Sequence, residues 1–177
     1  MSRRGLGRRG ENGAATFEMA IAFPILLVLA VGAAELGFAI VDWLAVSNAT
    51  REGARVGSTA GNNPAADATI LDSVGQALAG LENSNVLKVE IFEAAADGTI
   101  VDPSNLLNEY TPDGAGGWTC SNSCPWVSTS RSVSVTSLDR LGVRVSFQHD
   151  WVTGLLPLGS GIWNDDAVMR LEPAVNS

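Results

Sequence analysis

Between Glu18 and Asp42 the chain is apolar except for one carboxylate, Glu35, and no other feature constrains its folding so tightly. A helix rises ~1.5 Å per residue, so these about 23 residues reach roughly 35 Å, more than the ~30 Å hydrocarbon core of a bilayer. With 177 residues in all, the remainder suffices for one compact domain beside such a span.

The charges sort by position along the chain. Arg3, Arg4, Arg8 and Arg9 precede the apolar run, which places the N-terminus in the cytoplasm and everything after Asp42 outside. From residue 61 onward, five basic side chains stand against fourteen acidic ones. An acidic outer part excludes nucleic-acid binding, which needs positive charge to displace counterions, and excludes a polybasic hold on anionic lipid. Cys120 and Cys124 lie in that part, in keeping with an oxidising compartment and a short disulfide. Zinc is the competing use of the two thiols. It normally takes four ligands, and His149 is the sole histidine of the chain.

Three readings of the N-terminus are open. A conventional signal peptidase would cut near Ala34, after the small-residue run Gly32-Ala33-Ala34, and release a domain starting at Glu35. An uncleaved helix would remain as an anchor. The third reading rests on GAATFEM, residues 13–19. That stretch resembles the type IV pilin leader: a short basic segment ending in glycine, glutamate fifth after the cut, and an apolar helix directly behind. The resemblance implies cleavage between Gly13 and Ala14 by a prepilin peptidase. It also implies that the Glu18 carboxylate pairs with the new α-amino group of a neighbouring subunit. An unpaired charge at that depth is costly, so the pair would favour one axial register. The alternative is a Glu18 that reaches water at the headgroup level.

A longer stretch, ATFEMAIAFPILLVLAVGAAELGFAIVDWLAVSNATREGARVGST, resembles the N-terminal helix of TadE-like proteins, minor pseudopilins of the tight-adherence (Flp) pilus system. Glu18, Pro24, Glu35 followed by Gly37, and Arg51-Glu52-Gly53-Ala54-Arg55 carry the likeness. RVSFQHDWVTGLLPLG and DDAVMRLEP resemble the family's closing strands. Met19 departs from the aromatic usual after the glutamate, and residues 61–140 hold no motif that matches. The family implies a single-pass subunit of the bacterial inner membrane that takes part in pilus assembly. Its implied partners are other pilin-like subunits, met through the N-terminal helix, and the membrane assembly platform; no cofactor is implied.

Small residues recur along the helix at Ala33, Gly37, Ala45, Ala49, Gly53 and Gly57, with Val41 the larger exception. Such rows let helix backbones approach closely in lipid. Each step of four drifts by about 40°, so several crossing neighbours, and no single straight one, would be needed to cover the row. A bland source is a composition rich in alanine and glycine. Glu35, expected in the outer third of the membrane, is a functional candidate because intramembrane acids are expensive. No partner for it lies nearby in sequence. Pro24 lacks the N–H that would bond to Ala20, which predicts a local kink.

Beyond the span, the pattern predicts an α+β plan: a long N-terminal helix, a shorter helix and a small, mainly antiparallel sheet. The division is a basic leader at 1–13, the stem and its extension at 14–60, and an acidic domain at 61–177. Asn63 and Pro64 read as the start of a second helix, with Ile70, Leu71, Val74, Ala77, Leu78 and Leu81 at helical spacing and Gly80 or Asn83 as its end. VLKVEIFEA, Ser132–Thr136, LGVRVSF and AVMRLE read as strands, and Asp97-Gly98 as a turn. Residues 102–130 read as a long loop holding the disulfide, in which Trp118 and Trp126 pack inward or meet a partner. Asp97 with Asp102, and Asp165 with Asp166, are acidic pairs of the kind found in ordinary turns; calcium is the alternative. The sequence has no phosphate loop, nucleophile elbow or zinc-helix motif, and the expectation is a protein without enzymatic activity.

Overall fold

The computed structural model describes residues 9–81, 84–154 and 161–173. Arg3, Arg4 and Arg8 of the leader, Asn83, and the apolar stretch 155–160 lie outside the described residues. The architecture is α+β, as the patterning predicts. Helix α1 spans Arg9–Ala60 and α2 spans Ala66–Leu78. Strands β1 (Ser84–Glu93), β2 (Leu107–Pro112), β3 (Trp118–Cys120), β4 (Arg140–His149) and β5 (Gly161–Arg170) form one sheet. Its order is β3-β2-β1-β4-β5, and every neighbouring pair is antiparallel.

Helix α1 continues through Pro24. It ends where Gly61 takes a left-handed φ of 56° and returns its N–H to the Gly57 carbonyl, a stop that glycine reaches without strain. Asn63 does not cap α2, which starts at Ala66. Its side-chain oxygen instead accepts the Ala65 N–H at 2.8 Å and shapes the turn before the helix. Of the apolar positions expected in α2, Ile70, Leu71, Val74 and Leu78 are buried and Ala77 is exposed.

The core lies between the sheet and the two helices. Val46, Ala49 and Ala54 of α1 and Ile70 and Val74 of α2 meet Val89 and Ile91 of β1 and Val143, Val145 and Phe147 of β4. The core therefore runs across residue 60, and the second half of α1 is one of its layers. On the open face, Phe92 lies across Gly142, where a Cβ would come within 2.3 Å of the ring.

Two segments differ from expectation. Residues 102–130 hold β2, β3 and a 3₁₀ turn at Ser128–Ser130. Ser132–Thr136 is no strand. The Ser132 N–H donates to the Asp139 carboxylate and its carbonyl accepts the Asp139 N–H, while Ser134 pairs with Thr136 through their hydroxyls. Asp139 thus takes up both backbone groups that Ser132 would otherwise offer to a ladder. Cys120 and Cys124 are joined in a disulfide. Trp126 is buried, and Trp118 packs against the core.

Candidate functional site: the stem and its seam with the head

Helix α1 divides into two parts by what covers it. From Gly13 to Ala34 no residue is buried, and Phe17, Met19, Ile21, Phe23 and Leu27 are open over more than half their surface. This part is long and apolar enough to cross a membrane. Glu18 lies on it, exposed. From Glu35 onward the head covers one side of the helix.

The seam between stem and head is built from four polar contacts at successive heights. Lowest is Glu35, only 1% exposed, whose carboxylate accepts the backbone N–H groups of Val152 and Thr153. Next, Asp42 meets His149 Nδ1 at 2.8 Å; both are buried, and an ionised carboxylate can only accept, so the imidazole donates. Thr50 Oγ1 lies 2.6 Å from Asp165 Oδ2, which likewise can only accept the hydroxyl proton. At the top Ser58 Oγ donates to the Arg170 carbonyl at 2.7 Å, and the Ser58 carbonyl accepts the Glu172 N–H. The order of these contacts fixes the direction: β5 runs alongside α1, and the loop after β4 hangs toward the bare part of the stem.

Around His149 the aromatic rings pack in series. Trp151 meets its edge at 5.0 Å, Trp163 stacks on it at 5.8 Å, and Phe147 meets Trp163 edge-on at 5.7 Å. Beside them an apolar groove is lined by Leu36, Ala39, Ile40, Trp43 and Trp163.

The row of small residues splits the same way. Ala33 and Gly37 are exposed, and a Cβ at Gly37 would touch nothing. Ala45 is half-buried, Ala49 is buried, and a Cβ at Gly53 or Gly57 would meet Val74 at 2.6 Å or Leu141 at 2.7 Å. For Ala49, Gly53 and Gly57 the neighbour that comes close is the chain's own head, not another stem. Glu35 has no partner nearby in sequence, as expected; its partners lie more than a hundred residues away. Of the two acidic pairs only Asp97 and Asp102 order their own turns; Asp165 and Asp166 lie within strand β5, where Asp165 belongs to the seam. Asp97 accepts from Thr99, and Asp102 from Ser104 and Asn105. Asp166 lies 3.9 Å from Arg144. Among the described residues, no group of three or more His, Cys, Asp or Glu side chains is gathered where it could hold a metal ion.

Sequence reading missed a second buried network. Arg131, stacked over Trp126, donates to Asp67, which also accepts from Tyr110 and Asn108 and so ties α2 to β2 and the following loop. The burial beside the Asp67 charge pushes the Tyr110 hydroxyl far above its ordinary range. The only signal was a Tyr and an Asn in a short segment of otherwise weak pattern.

Together these features define a protein with one long helix apolar enough to span a membrane, whose α+β head is built against the far half of that helix. The family model of TadE-like proteins matches residues 13–55, the segment that holds the bare stem, Glu18, Glu35 and the first part of the seam. Neither curated proteins nor solved structures give a match to the chain.

Proposed function

We propose that the protein is a minor pilin-like subunit of a tight-adherence type pilus, held in the bacterial inner membrane with its N-terminus cytoplasmic and its head outside. The observation that carries this reading is the uncovered apolar helix from Gly13 to Ala34 within a segment that matches the TadE-like family. A prepilin peptidase cuts between Gly13 and Ala14. Glu18, the fifth residue of the mature helix, then receives the α-amino group of an adjacent subunit. The stem joins other pilin-like helices through its exposed face, including Ala33 and Gly37, and engages the assembly platform. The protein works by assembly and has no catalytic role; its buried carboxylates are taken up by the seam, at Glu35 and Asp42, and by an ion pair with Lys88, at Glu90.

A second reading, an exported binding domain, is favoured by one coincidence. The first head contact is Glu35, so a cut at Ala34/Glu35 would leave the seam whole. The mature N-terminus separates the two. Intact mass and terminal sequencing of protein from its native membrane should give Ala14; Glu35 would discard the pilus reading. With Ala14 established, Glu18→Gln should insert normally yet enter the assembly at least several-fold less, as read by co-purification with partner pilins. Normal entry would remove the proposed pairing.

A further inference from the structure

We propose that the loop 151–154 and the adjoining face of α1 are seated in the outer interface of the bilayer, so that the head rests in the lipid headgroup and upper acyl region. The proposal rests on the reading of α1 as a membrane span.

The first argument is charge. Between Glu18 and Arg51 the only charged residues are Glu35 and Asp42, and the head buries both. The exposed side of α1 from Met19 to Asn48 therefore carries no charge. Those about 30 residues measure roughly 45 Å, which matches a bilayer with its headgroup regions and exceeds the hydrocarbon alone. Leu36, Ile40, Val41, Trp43 and Leu44 are exposed in the upper part of that length.

The second argument is reach. Strand β4 ends at His149, level with Asp42, yet the loop beyond it donates to Glu35, about 10 Å further down the stem. Val152 turns its side chain outward there and is 54% exposed.

The third is backbone satisfaction. Irregular backbone is tolerated at membrane depth only where its polar groups find partners, and a carboxylate in an apolar zone needs donors. The Val152 and Thr153 N–H groups and the Glu35 carboxylate each supply what the other lacks. Trp43, Trp151 and Trp163 gather at the same level, where amphipathic rings favour the headgroup region. Asp150 marks the upper limit, its carboxylate held by Asn85 and Gln148 on the sheet side. An acidic head gains nothing from anionic lipid, so the seating is apolar and insensitive to salt.

The test uses the full chain in phosphatidylcholine vesicles, with one nitroxide label per sample at Val152→Cys, Leu27→Cys or Val135→Cys. All three positions are open, so labelling leaves the fold intact, and the native cysteines are locked in their disulfide. Collision rates with oxygen, which concentrates in lipid, and with a water-soluble nickel chelate are compared. The proposal expects an oxygen-to-nickel ratio at Val152 several-fold above that at Val135 and below that at Leu27, unchanged by salt. A Val152 ratio equal to that of Val135, with Leu27 still in lipid, would overturn the seating and leave the span intact. Shielding of Val152 from both reagents would assign the surface to a protein neighbour and also overturn it. A water-exposed Leu27 would remove the span itself.

Discussion

Glu35 shows how a residue's type can be legible while its role is not. A carboxylate inside an apolar run announces that something must compensate it, but the compensating groups, two backbone N–H donors and the Thr153 side chain, sit in a distant loop. Backbone donors leave no trace in sequence, and the spacing predicts only an acid in want of a partner. The glycines of α1 carry the same lesson. Gly37, Gly53 and Gly57 look alike in the row, but Val74 fills the space at Gly53 and nothing fills it at Gly37. Gly53→Ala gains about 1 kcal/mol of helix propensity and loses about 1–3 kcal/mol to overpacking, because Val74 is branched close to its backbone and yields poorly. Denaturant unfolding in detergent should therefore show Gly53→Ala less stable than the parent. Gly37→Ala should leave head stability unchanged, and any loss of pilus incorporation it causes reports on contact between stems.

Among the elements, β1, β4 and both helices were legible because their apolar periods are clean. Strand β2 was not: it presents Asn108 and Tyr110 where a core-facing pattern would show aliphatics, and buries them by hydrogen bonding to Asp67. At the β1–β2 pairing, Glu90 and Glu109 stand directly opposite, an unfavourable like-charge pair, and Lys88 Nζ bridges them at 3.0 and 2.6 Å. The hydrogen bond from Lys88, joined by one from Ser121, holds Glu109 below its ordinary carboxylate range. A depressed carboxylate stabilises the fold above its unfolded value, near 4.5, and that contribution fades as pH falls through the folded value. Glu93 has the opposite sign. Burial, with the Asp139 charge added, raises it, so its protonation favours the native state as pH falls through that raised value. Lys88→Met should cost about 1 kcal/mol at neutral pH by exposing the repulsion, and markedly less at an acid pH below the depressed range of Glu109, where that carboxylate has lost its charge and no like pair is left to repel. Urea unfolding of both proteins at the two pH values checks this.

For the whole molecule, the α+β plan and the bare span follow from composition and period alone. The point at which the stem becomes core does not, because Val46, Ala49 and Ala54 look no different from membrane residues until a sheet is placed against them. A fragment beginning at residue 61 keeps every strand but loses one layer of its core. It should show weak near-UV circular dichroism and bind a hydrophobic dye, whereas a fragment beginning at residue 35 should keep native tertiary signals in detergent.

The continuity of α1 from the bare segment into the core has a mechanical consequence. Because one continuous helix is both shaft and core layer, the head cannot swivel about a joint between the two, and its azimuth is set by the rotation of the stem above Pro24. A pull along the shaft is shared in shear by anchors at Glu35, Asp42, Thr50 and Ser58, so tension reaches the sheet at four heights at once.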